Sequence, residues 1–159
     1  DKLCEDLRTV TEKATSEDSL LIIGGDFNAE VGRCEDDDHS GTIGPHGQGN
    51  RTATGMELID VCRQENWMFA STCFRQRVAG TWWHPRYRSA HQLDHFVIRL
   101  RDRGHIIHCR TCICTHDEHC QTYKYICNVS KKKTVGISTI CRQTNKFFNC
   151  RRSRLWKIG

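Results

Sequence analysis

The chain has 159 residues, 37% of them hydrophobic and 27% charged, with only two Pro. This is a globular composition, leaner in apolar residues than an average domain. Its longest apolar run, Leu20 to Ile23, is far short of the roughly 18 to 20 residues a membrane-spanning helix needs. The formal net charge is +5, but it is unevenly spread. Acidic residues concentrate before residue 65, including Glu35, Asp36, Asp37 and Asp38, and Lys and Arg dominate from Arg75 onward. A basic half of this kind suits a polyanion or a solvated surface, and charge alone does not choose between them. The eleven Cys are odd in number and do not follow the spacing of a small disulfide scaffold. They read as scattered, reduced thiols of an intracellular protein, nuclear or cytoplasmic. The chain opens on Asp rather than Met, which is expected of a fragment.

Taken in order, Leu3, Leu7 and Val10 recur at helical spacing and predict an amphipathic helix over residues 2–13. A short polar loop leads into a strand from Leu20 to Gly24. Residues 32–54 are rich in Gly, Asp, Thr and His without periodicity and predict a long loop, a feature often tied to function in compact domains. Gly55, then Met56, Leu58, Ile59 and Cys62, predict a second helix ending near Asn66. Strands are expected over Trp67–Thr72, within "GTWWHP", and over "QLDHFVI" from Gln92 to Ile98. Alternating helices and strands argue for an α/β or layered sandwich fold. From about Ser130 the chain becomes a basic stretch without pattern, so residues 1–127 read as the domain and 128–159 as a tail.

Four segments carry chemistry: "GGDFNAEVG", "GTWWHP", "QLDHFVI" and "HDEHC". In this order and spacing they resemble the later motifs of the endonuclease/exonuclease/phosphatase family of metal-dependent phosphodiesterases. The nearest likeness is to LINE-type retrotransposon endonucleases and the craniofacial development protein 2-like proteins, and it covers about residues 1–127. The resemblance implies the C-terminal half of a four-layer α/β sandwich that nicks DNA with Mg²⁺ or Mn²⁺. It also implies as partners a missing N-terminal half and the reverse transcriptase domain of a parent protein.

The resemblance assigns roles as follows. Asp26 would orient or deprotonate the attacking water, and Asn28 would hold the scissile phosphate. Thr81 and Trp82 would line the substrate groove. Apart from the resemblance, Arg75, Arg77, Arg86 and Arg88 flank them and suit either backbone phosphates or a solvated face. Asp94 would hydrogen-bond the catalytic histidine, His119, and Glu118 would stand where the family has its metal-site Asp. Glu is one methylene longer, which bears on a Mg²⁺ site needing near-octahedral ligands at about 2.1 Å. An Asn on a first strand and a metal-binding Glu, both found in complete members, are not in this sequence. Thr52 and Thr54 stand where the retrotransposon proteins favour Asn before Gly55.

The residue types suit the chemistry independently. Phosphodiester hydrolysis needs an activated water, neutralised phosphate oxygens and in-line placement. Asp26 offers a base, a metal would acidify bound water, and Asn28 offers two neutral donors. The same "DFN" also fits a plain Asx turn after a strand. His95 and His116 read as structural or surface residues. A rival reading takes Cys109, Cys112, His116 and His119 or Cys120 as a tetrahedral Zn²⁺ site in a binding module, although their spacing is crowded for a finger. A third is a non-catalytic nucleic-acid-binding remnant whose affinity would fall steeply with salt.

Overall fold

The computed structural model describes residues 20–34, 40–77, 80–84, 86–87, 89–117, 120–129, 135–140 and 147–151, with Glu5, Arg8 and Thr9; beyond Arg110 it describes the backbone path alone. Glu5, Arg8 and Thr9 are helical. The apolar residues on which the first helix was expected, Leu3, Leu7 and Val10, lie outside the described residues.

The centre of the fold is strand β1, Leu20–Asp26. Its run of Leu and Ile has no polar alternation, which is the pattern of a strand covered on both faces. Both faces are covered. Leu21 and Ile23 enter one apolar cluster with Phe27, Leu58, Ile59, Trp67, Phe69 and Val97. Leu20 and Ile22 enter another with Met68, Ala70, Phe96, Ile98 and Cys109. The two-residue period of a strand divides β2 (Trp67–Phe69) and β5 (Asp94–Arg99) between the same two clusters.

These strands form a four-stranded sheet in the order β2-β5-β1-β8, where β8 is Val135–Ile140. The β2–β5 and β5–β1 pairs are antiparallel, and β1–β8 is parallel. On the first face lies helix α1, Ala53–Gln64, which buries Gly55, Leu58, Ile59 and Cys62. On the second face Cys109 enters the cluster from β6, Ile106–Asp117. That strand belongs to a three-stranded sheet, β6-β7-β9, with β7 Cys120–Val129 and β9 Phe147–Arg151. A small hairpin, β3 (Trp82–Trp83) and β4 (Ala90–His91), precedes β5. The architecture is a mixed α/β fold. Among the described residues no helix is long and apolar enough to cross a membrane.

Helix α1 starts where its chemistry dictates. Thr52 has extended backbone, and its hydroxyl accepts the Gly55 N–H at 3.1 Å, an N-cap bond that satisfies one of the helix's unpaired donors. The Thr in place of Asn before Gly55 is therefore a working cap. Gly55 is required for a separate reason: a Cβ there would collide with the carbonyl oxygen of Glu30.

Three element boundaries differ from the sequence expectation. The strand from Leu20 extends to Asp26, because its ladder with β5 continues to the Asp26–Asp94 pair. The strand expected to reach Thr72 stops at Phe69 and becomes a 3-10 turn, Ala70–Thr72. There the Thr72 hydroxyl donates to the Phe69 carbonyl at 2.7 Å, so a local side-chain bond replaces the ladder. The strand expected from Gln92 begins at Asp94, since the Leu93 N–H is taken by the Thr81 hydroxyl at 2.9 Å. The stretch read as an unpatterned tail supplies β8 and β9. Val135, Ile137 and Ile140 are too few for a local signal beside the lysines, and β8 takes its pairing from β1, far away in sequence.

Ile22→Ala and Ile23→Ala, on opposite faces of β1, should each lower stability by about 2–5 kcal/mol, and Thr52→Ala by about 1 kcal/mol. Urea denaturation followed by Trp fluorescence would measure all three.

Candidate functional site at the end of the central strands

The ladder between β1 and β5 ends by placing Asp26 directly opposite Asp94. Directly opposed residues share one face of a sheet, so the two carboxylates leave the same face at the end of β1. Asp94 is fully buried and Asp26 partly so. Beyond them the chains stay together, because the Phe27 N–H donates to the Leu93 carbonyl at 3.0 Å.

Asn28 then turns the chain. Its N–H donates to Asp26 Oδ1 at 3.1 Å, and its φ is +50°, a left-handed conformation that Asn tolerates better than most residues. The Asx turn is thus present, and it is also what fixes Asp26 and leaves the Asn28 side chain exposed.

Thr81 departs from its expected place. It is 1% exposed and does not line a groove. Its hydroxyl accepts the Leu93 and Asp94 N–H groups at 2.9 and 3.1 Å, and its own N–H donates to the His91 carbonyl at 2.7 Å. Thr81 is a clamp on the start of β5, and so on Asp94. Trp82 does face outward, at 39% exposure, with the rings of His84 and His91 each 5.6 Å from its own. Trp83 is half-buried against the second cluster, as expected of adjacent strand residues on opposite faces. Arg75, Arg77 and Arg86 are exposed. Glu118 and His119 lie outside the described residues, as do the side chains of Cys112, Cys114, His116 and Cys120. Cys109 is 1% exposed within the apolar cluster.

His95, next to Asp94, is a structural histidine. It is wholly buried between the rings of Phe27 and Phe69. Nε2 lies 2.9 Å from the Ala29 carbonyl and Nδ1 3.2 Å from the Ser71 hydroxyl. The carbonyl can only accept, so Nε2 carries the proton and Nδ1 accepts from Ser71 in the neutral ring. Burial pulls its pKa from 6.5 down to about 4, against the opposing pull of the Ala29 and Gln92 backbone and the charges of Asp26 and Glu30.

One pair went unforeseen in the sequence. Glu30, 7% exposed, lies with Oε2 3.0 Å from His91 Nδ1. The path of residues 26–30 beside residues 91–94 explains the contact, but Glu30 and His91 are 61 residues apart and carry no local signal. Among the described residues, no three His, Cys, Asp or Glu side chains converge to hold a metal ion. The described part of the site is therefore a pair of carboxylates, an outward amide and an aromatic hairpin, and does not make a Mg²⁺ site by itself.

The chain is similar to craniofacial development protein 2 of Tragulus javanicus, 36% identical over 109 residues, and to that of Bos taurus, 34% identical over 109 residues. Each match covers 67% of this chain but only 18% of the relative. No protein-family model and no solved structure matches.

The depressed pKa of His95 has a signed consequence. The unfolded ring takes up a proton as pH falls through 6.5, whereas the folded ring does so only near 4. Stability is thus lost as pH drops across that window, by an amount on the order of 3 kcal/mol. Urea midpoints at pH 7 and pH 4.5 should differ more for the native chain than for His95→Phe.

Proposed function

We propose that the chain is the C-terminal part of an endonuclease/exonuclease/phosphatase-type domain of LINE retrotransposon origin, a partial four-layer α/β sandwich that hydrolyses phosphodiesters in DNA. The observation that carries this reading is the Asp26–Asp94 pair at the end of two central strands, with Asn28 turned outward beside it. Opposed like charges cost a sheet roughly 0.2–1 kcal/mol, so a stable fold has little reason of its own to place them there. The similarity to craniofacial development protein 2 over 109 residues lends further support.

In this reading Asp26, its backbone held by the ladder and one oxygen by the Asn28 N–H, orients the attacking water and accepts its proton. The Asn28 amide donates to a phosphate oxygen. Asp94, its backbone N–H held by Thr81, would pair with His119. Trp82 and Arg86 offer a stacking face and a phosphate contact. Mg²⁺ or Mn²⁺ would supply charge neutralisation and acidify the water, and its ligands would have to come in part from groups beyond the described residues.

Supercoiled plasmid with Mg²⁺ or Mn²⁺ tests the proposal, using this chain alone and joined to a segment that supplies the first-strand Asn and the metal-site Glu. The joined form should nick, and Asp26→Ala or Asp94→Asn should reduce nicking by about 10²- to 10⁴-fold without unfolding the protein. Binding without nicking in every form would favour the non-catalytic remnant instead.

A further inference from the structure

We propose that Glu30, His91 and Ser89 form an acid–base–nucleophile relay on the β3–β4 hairpin that accepts an acyl group from a neutral carboxylic ester onto Ser89 Oγ. This inference stands on contacts that the phosphodiesterase reading does not use. His91 Nδ1 lies 3.0 Å from Glu30 Oε2, and its Nε2 lies 2.9 Å from Ser89 Oγ. A carboxylate only accepts, so Nδ1 carries the ring proton. Nε2 is then left with a lone pair aimed at the Ser89 hydroxyl, which donates to it. A nucleophile within hydrogen-bond reach of a base, with that base oriented by a third group, is the general signature of an activated nucleophile.

Exposure is graded in the order such a relay requires. The Glu30 side chain is 9% exposed and His91 33% exposed, and Ser89 is exposed to solvent. The acid is sheltered, the base is reachable and the nucleophile is open.

Each member is also held by the framework. The backbone of Glu30 is tied on both sides by Thr52, whose N–H donates to its carbonyl at 3.0 Å and whose hydroxyl accepts its N–H at 3.2 Å. Gly49, with a φ of +82°, packs so that a Cβ there would come 3.1 Å from Glu30 Oε1. The carbonyl of His91 takes the Thr81 N–H, and the carbonyl of Ser89 takes the His84 N–H at 2.9 Å. Groups locked this way need little reorganisation when they react.

The surroundings select the substrate class. Unlike the phosphodiesterase reading, the relay calls on no metal ion, so an anionic ester meets the uncompensated charge of Glu30, 3.0 Å from the base. A neutral ester does not. The exposed ring of Trp82, 5.6 Å from that of His91, gives an apolar wall for the acyl or alcohol part.

In the first step Ser89 Oγ attacks the carbonyl carbon as its proton passes to His91 Nε2. The bond to the leaving alcohol breaks, and the alcohol oxygen takes that proton. Water then attacks the acyl-Ser89, giving its proton to His91, which returns it to Ser89 Oγ as the carboxylic acid departs. Glu30 touches no substrate. It is a positioning residue that fixes the tautomer and favours the imidazolium formed in each step.

The test uses the 159-residue chain with p-nitrophenyl acetate, mapping acetylated residues by peptide mass spectrometry. Acetyl-Ser89 is expected, with a rate that His91→Gln lowers by about 100-fold or more. Glu30→Gln should lower it comparably, and Glu30→Asp should restore part of the loss, which a purely structural role would not predict. Ser89→Ala, at an exposed position, should fold normally and lose that one adduct. No acetyl group on Ser89, or Ser89 acetylation indifferent to His91→Gln, would overturn the proposal.

Discussion

Everything described at the site depends on the antiparallel register of β1 against β5, from Ile22–Ile98 to Asp26–Asp94. That register decides which apolar residues meet helix α1 and which meet β6, and it decides that two carboxylates finish opposite each other. A slip by one residue would exchange the two faces of the strand. Leu20 and Ile22 would then crowd the helix side, and Asp94 would stand opposite Gly25 or Phe27. The same alignment carries past the last ladder pair through the Phe27–Leu93 bond, bringing Glu30 alongside His91. Core and site are consequences of one alignment.

The buried polar groups beside the core follow a consistent logic. Ser71, Thr72 and Thr81 each direct a hydroxyl at a backbone or ring partner, which removes the cost of taking them out of water. Arg99 and Asp102 meet at 2.7 Å with the aspartate almost fully enclosed. Such a pair contributes little net stability, but losing one partner would strand a buried charge. His95 takes another route and stays neutral, so its ring can sit among aromatic neighbours near Asp26 and Glu30.

The central strand and helix α1 were legible because each is written locally, as an unbroken Leu-Ile run and as apolar residues at helical spacing. The motifs single out Asp26, Asn28 and Asp94, and the register sets Asp26 opposite Asp94 at one end of the sheet. Thr81 was misplaced because a buried clamp and an exposed groove residue look alike in a string of letters. Only the two N–H groups arriving from β5 separate them. The end of the strand at Phe69 was hidden for a similar reason, since a threonine favours strands until its hydroxyl finds a nearby carbonyl. β8 and the Glu30–His91 contact depend on partners far along the chain, where periodicity carries no information.

The parallel pairing of β1 with β8 has a consequence in time. β1 is made well before either of its neighbours, and β5 is the first of them to follow. The other edge stays open until residues 135–140 have been made. At roughly 5–20 residues per second, that interval is on the order of ten seconds. Throughout it, the most apolar strand of the protein presents a row of unpaired backbone groups to whatever lies near the ribosome. Until β8 arrives that edge is open to other partners, and the yield of folded protein in a cell should depend on what shields it during the wait.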